Sequence, residues 1–170
     1  MIWVAFLAAG LSTGVACAAD SDCQPEFEAL SKLATTPTHS YTTQTAASRA
    51  GGKPVNSEAI YAGGVIYFKV NGKWIRSTLT PQQELQQVRE NQKNSKATCR
   101  YLREELVNGE VASVYSTHGE NEDAKSDARI WISKSRGLLL RQEVELNVGG
   151  TLGKSSSSTR YEYGNVEPPR

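Results

Sequence analysis

The sequence predicts a mainly β fold of the α+β class, a curved antiparallel sheet or half-barrel of about 8–9 strands with two short helices. Three observations predict it. Apolar and polar residues alternate over long stretches of the second half, the period of strands with one wet face. Asn71-Gly72 and Asn108-Gly109 interrupt such stretches with the strongest short-range hairpin signal. Only two segments carry apolar residues at helical spacing.

Length and charge set the frame. A chain of 170 residues is one domain by size, and 19 basic against 18 acidic side chains leave a net charge of +1. With no basic cluster, neither a nucleic-acid backbone nor an anionic lipid surface is an expected partner. Residues 1–19 hold no charged residue and are unusually apolar. The apolar run from Met1 to Gly10 and the small residues Ala16, Cys17, Ala18 and Ala19 ahead of Asp20 have the layout of a secretory signal. Residues 20–170 are then the exported domain, periplasmic or secreted, with no stable transmembrane segment after processing. The competing reading makes Cys17, behind Gly14-Val15-Ala16, a lipidated amino terminus.

If the leader is removed, Cys23 and Cys99 remain, two thiols in an oxidising compartment, and they predict one disulfide. Closing so long a loop contributes on the order of 4 kcal/mol in the chain-entropy model. That is a large share of stability for a domain with few Leu, Ile, Val and Phe. Two separate buried thiols are the bland alternative. Zinc would need further ligands close by.

Along the exported chain, Pro25 to Ala34 places Phe27, Leu30 and Leu33 on one helical stripe behind an early Pro. Thr35 to Thr38 breaks the helix, and the polar, Thr-rich segment from Tyr41 to Arg49 suits an edge strand. Gly51-Gly52 turns the chain. Residues 55–62 carry Val55 and Ile60 in weak alternation, Gly63-Gly64 leads into the strand Val65–Val70, and Asn71-Gly72 returns the chain into Lys73–Ser77. Thr80-Pro81-Gln82-Gln83 reads as an N-cap, a Pro at the first helical position and a Gln reaching back to the cap. The helix from 81 to 92 has only Leu85 and Val88 as apolar residues, and the sheet is expected to wrap partly around it.

The rest reads as strands. Cys99–Val107 and Glu110–His118 form a hairpin, and a polar loop runs from Gly119 to Ser126. Asp127–Ser133 follows, with Ala128, Ile130 and Ile132 opposite Arg129 and Trp131. After a turn at Lys134–Gly137, Leu138, Leu140, Gln142, Val144, Leu146 and Val148 share one face of the next strand. Arg141, Glu143, Glu145 and Asn147 share the other. Gly149 to Ser157 reads as flexible linker, and Thr159, Tyr161 and Tyr163 lie on the inner face of the last strand.

Ile130-Trp131-Ile132-Ser133, Leu138 to Glu143 and Tyr161-Glu162-Tyr163-Gly164-Asn165-Val166 together resemble the closing strands of the outer-membrane lipoprotein carrier (LolA-like) superfamily. The resemblance is strongest over residues 127–168 and extends to the hairpin of residues 65–77. It implies an incomplete antiparallel barrel curled around a helix and a cavity that shelters acyl chains or other lipid, in the periplasm or outside the membrane.

Candidate chemistry is sparse. His118 beside Glu120, Glu122 and Asp123 has the ligand types of a cation site, but an acidic loop without a second histidine is ordinarily a solvated turn, so no metal is expected. His39 reads as a surface turn residue. Glu104 with Glu105, and Glu143 with Glu145, read as surface charge rather than an acid and base pair. No nucleophile elbow, phosphate loop, dinucleotide fingerprint or CxxC pair occurs. Neither catalysis nor a cofactor is expected. The aromatics Tyr67, Trp74, Trp131, Tyr161 and Tyr163 lie on predicted strands and would line a pocket for a lipid or other apolar molecule if they converge. Core packing explains them as well. The first expectation is therefore an exported binding protein for a lipid or other apolar small molecule; the second is an envelope module that meets another protein.

Overall fold

The computed structural model describes residues 23–46, 53–93, 96–120, 124–148 and 153–169. The leader with Cys17, the turn expected at Gly51-Gly52, and Glu122 and Asp123 lie outside the described residues. In chain order the elements are α1 (Gln24–Leu33), β1 (Thr38–Ala46), β2 (Val55–Ala62), β3 (Val65–Val70), β4 (Lys73–Arg76), α2 (Pro81–Lys93), β5 (Lys96–Val107), β6 (Glu110–Glu120), β7 (Ala124–Ser133), β8 (Leu139–Val148) and β9 (Gly153–Tyr163). The strands form one curved, open antiparallel sheet in the order β4-β3-β2-β1-β9-β8-β7-β6-β5.

The expected tight turns are present. Gly63 and Gly64, Asn71 and Gly72, and Asn108 and Gly109 all have positive φ. These are the angles that two-residue hairpins demand and that Gly and Asn tolerate. The start of α2 is a reciprocal capping box: Thr80 N donates to Gln83 Oε1 at 2.9 Å and Gln83 N donates to Thr80 Oγ1 at 3.2 Å. Cys23 and Cys99 form the expected disulfide, joining the entry of α1 to β5 across 76 positions of sequence.

Residue parity divides the sheet into two faces. The inner face carries the helices. Ala29 of α1 is 1% exposed and packs with Ile130, Ile132 and Leu139, with Leu30, Leu33, Tyr115 and Tyr161 around them. Lys32 Nζ donates to Arg136 O at 2.8 Å, fastening the end of α1 to the β7–β8 turn. The sheet thus closes over α1, not over α2 as expected. Ala29, small and flanked by Leu30 and Leu33, lets α1 approach the strands closely, whereas mostly polar α2 presents Pro81 and Leu85 and is otherwise largely exposed among its described side chains.

The outer face carries a second cluster of Ala112, Val114, Trp131 and Leu140, with Leu102 and Val107 against it. The reason is a β-bulge. Trp131 pairs with Arg141 but Ile132 pairs with Leu139, so Leu140 is an extra residue in β8. The uninterrupted alternation expected from Leu138 and Leu140 through Val148 is therefore corrected: Leu139 keeps company with Gln142 and Val144, and Leu140 joins Trp131 on the far side. A second irregularity at Leu102, between Tyr101 and Arg103 of β5, does the same on the neighbouring hairpin.

Three further expectations change. The Thr-rich segment is not an edge: β1 lies between β2 and β9, where Thr42 and Thr159 join their hydroxyls at 2.9 Å. The expected polar loop at 119–126 is shorter, because β6 continues to Glu120 and β7 begins at Ala124. The expected linker becomes strand from Gly153, since Ser155–Ser158 are hydrogen-bonded between β1 and β8 and two ladders outweigh their weak intrinsic preference. Residues 149–152 lie outside the described residues.

Candidate functional site

A cavity of about 370 Å³ lies between the two helices and the inner face of β1, β2, β3 and β9. Its volume falls in the range of small-ligand pockets, roughly 300–1,000 Å³. Each wall follows from local sequence. On α2 the capping box starts the helix so that Pro81, Glu84 and Leu85, spaced three and four apart, share the side towards the cavity. On α1, Leu30 and Leu33 do the same. On the strands, Ala59, Tyr61, Ile66, Phe68 and Tyr161 present every second side chain.

The polar groups of the walls are mostly engaged. Thr38 Oγ1 donates to Thr36 O at 2.6 Å, Ser40 Oγ to Ala59 O at 3.3 Å, and Tyr161 Oη to Gln142 Oε1 at 3.2 Å. Burial pushes the Tyr161 hydroxyl well above its ordinary pKa, so it stays neutral. Burial also raises the Glu84 carboxyl. Beside the cavity, Phe68, Val70 and Ile75 continue the apolar surface on the inner face of β3 and β4, exposed by 40%, 47% and 52%.

The five candidate aromatics do not come together. Tyr161 alone lines the cavity. The Asn71-Gly72 hairpin pairs Lys69 with Trp74, and Tyr67 is in step with Lys69, so Tyr67 and Trp74 occupy the outer face. There Lys69 Nζ lies 5.5 Å over the Trp74 ring, and the His39 ring meets Trp74 edge-on at 6.0 Å. Trp131 is on the outer face too, its Nε1 donating to Glu105 Oε2 at 2.6 Å and the Arg141 guanidinium 4.9 Å over its ring. Tyr163 sits at the end of the sheet, where its hydroxyl donates to Leu139 O at 2.6 Å and its ring packs against the outer cluster.

Choosing Tyr67, Trp74, Trp131, Tyr161 and Tyr163 overlooked Ile66, Phe68, Pro81 and Leu85. Parity was the available signal. In a two-residue hairpin loop Val70 must face Lys73, hence Phe68 must face Ile75.

The remaining candidates lie elsewhere. His39 is not in a turn: it belongs to β1, stacked on Tyr41 at 4.1 Å and 3.3 Å from Glu58, whose carboxyl Lys69 and His39 hold below its usual pKa. His118 belongs to β6 and sits 2.8 Å from Asp127, with Glu120 at 3.9 Å. Among the described residues no group of three His, Cys, Asp or Glu is placed to hold a metal. Glu104 pairs with Lys134 and Glu105 with Arg103 and Trp131. Glu143 and Glu145 are on the outer face, in a wide polar trough that also takes in His118, Asp127 and Arg129. No helix among the described residues is long and apolar enough to cross a membrane.

No protein-family model matches the sequence, and no curated protein matches it. Among solved structures, the crystal structure of LprF from Mycobacterium bovis is similar over 85% of this chain and 97% of that one, at 10% identity and a TM-score of 0.45. That of a DUF1329 family protein from Desulfovibrio piger is similar over 85% of this chain and 93% of the other, at 8% identity and a TM-score of 0.29. At these values neither neighbour bears on what the cavity holds.

Proposed function

We propose that this is an exported, non-catalytic binding protein that holds a lipid or other apolar small molecule between its helices and the inner face of its sheet. The cavity carries the reading: an apolar chamber of about 370 Å³ bordered by exposed Phe68, Val70 and Ile75. Filling it removes apolar surface from water on both partners, at about 25 cal/mol per Å². The disulfide supports an oxidising compartment. The open sheet closed over a helix is the architecture that the resemblance to the lipoprotein carrier superfamily implies. Both histidines are engaged with carboxylates on the outer face, away from the cavity, which supports binding without catalysis.

Native mass spectrometry of the protein purified from its host without detergent is the test. An apolar guest is expected on the wild type, with loss of that guest from Ala59→Phe, whose new ring would occupy the cavity. Repeated absence of a guest, together with failure to bind a fluorescent acyl probe, would sink the reading.

A second reading, an envelope protein partner, has one observation in its favour. β5 is an open edge, and beside it Leu106 and Val111 pair across the hairpin while exposed by 73% and 41%.

A further inference from the structure

The cavity is mostly apolar, and one charged side chain in its wall has no partner among the described residues. Five of the seven hydroxyls in its lining, those of Thr38, Ser40, Thr42, Thr159 and Tyr161, are hydrogen-bonded within the protein, which leaves the neutral hydroxyls of Ser57 and Tyr61. Glu58 contributes to the wall, but its carboxylate is on the far side of the sheet, 2.8 Å from Lys69. Glu84 is different. Glu84 is half-buried in the cavity wall, its side chain has no hydrogen bond or ion pair among the described residues, and no Lys, Arg or His is among the residues lining the chamber.

A carboxylate in this setting has two physical consequences. Partial removal from water penalises its charged form, which is why its pKa rises. A donor or cation brought beside it would recover that cost, and a second anion would add to it. The first turn of α2 is a favourable place for an acid in any case, because the helix dipole stabilises negative charge there. That accounts for an acid in the turn, but not for its lying on the same side as Pro81 and Leu85.

Resting on the cavity reading above, we infer that Glu84 sets the head-group preference of the site: the guest is an amphiphile whose apolar chain fills the chamber and whose cationic amine lies against Glu84. Neutral hydroxyl heads rank second, and free carboxylates are disfavoured.

The test uses the full exported chain and three ligands with one chain length, dodecylamine, 1-dodecanol and dodecanoate. Each is titrated below its aggregation threshold by displacement of an uncharged fluorescent probe, against wild type, Glu84→Gln and Glu90→Gln. Glu90 is an exposed acid of the same helix, bonded to Gln86, and its variant removes one unit of charge without touching the cavity. Wild type is expected to bind the amine at least tenfold more tightly than dodecanoate. Glu84→Gln should bring the two within about threefold and leave dodecanol unchanged, while Glu90→Gln keeps the wild-type order. Equal binding of all three ligands, or an order that Glu90→Gln abolishes as fully as Glu84→Gln, would overturn the head-group inference and leave the cavity reading standing. Failure of all three to bind would overturn both.

Discussion

Trp131 Nε1 donates a 2.6 Å hydrogen bond to Glu105 Oε2 across the outer face of the sheet, with the ring 3% exposed and Arg141 stacked over it. This bond, followed by the ion pair with Arg103, holds the Glu105 carboxyl below its usual pKa. One of the five aromatics that the sequence offered as a pocket lining is instead part of a second core.

Trp131→Phe should therefore lower stability without changing what the cavity binds. The lost ring area costs about 1–2 kcal/mol, read from urea unfolding. Binding of an acyl probe should be unchanged, and the emission of wild-type Trp131 should not move when the cavity fills. A several-fold loss of probe affinity in a folded Trp131→Phe protein would show that the outer cluster belongs to the site.

Glu26 predicts a pH dependence. Its carboxyl lies beneath the disulfide, accepting from Thr117 Oγ1 at 2.7 Å, and burial raises its pKa above the ordinary 4.5 despite that hydrogen bond. The folded state then holds this proton more tightly than the unfolded state. Stability from Glu26 is full below the unfolded pKa and is lost as pH rises through the folded one. Glu26→Gln keeps an acceptor for Thr117, so the variant should be more stable than wild type at pH 7. The gap should close as pH falls to 4. Urea midpoints across that range measure it, and a gap that widens in acid would reverse the assignment.

The disulfide should matter more than its position near one end of the chain suggests. It fastens the helix that supplies Ala29 to an edge strand, across 76 positions. Cys23→Ser with Cys99→Ser, or reduction of the wild type, should cost about 3–4 kcal/mol. Thermal unfolding with and without reductant reads the loss, and the double variant should be indifferent to reductant.

Gly137 carries a double constraint. Its φ is +64°, and a Cβ there would lie 2.5 Å from Lys32 Nζ, the group that fastens α1 to Arg136 O. Gly137→Ala is expected to cost about 2 kcal/mol. Gly72→Ala has a comparable backbone angle and nothing within 4 Å of the new atom, so it should cost less. Equal losses in the two variants would mean that the Lys32 contact contributes nothing.

Much of this molecule is legible without coordinates because its signals are local. Hairpin turns demand positive φ at two adjacent residues, and Asn-Gly announces that directly. The capping box at Thr80 and Gln83 spans one helical turn, and the cysteine count with its compartment names one bridge. Parity within a short hairpin also sorts Phe68 from Tyr67.

What only the tertiary structure decided depends on partners far away in sequence. A single extra residue at Leu140 flips the rest of β8 relative to Leu139, and no alternation pattern marks where such a bulge falls. The serines of β9 are strand because β1 and β8 pair with them on both sides, not because serine prefers it. The cavity exists because residues of α1 and α2, forty-seven positions apart at Ala34 and Pro81, line one space together with β1, β2, β3 and β9. Local chemistry selects each element; which faces meet, and what space they leave, is set by packing across the whole chain.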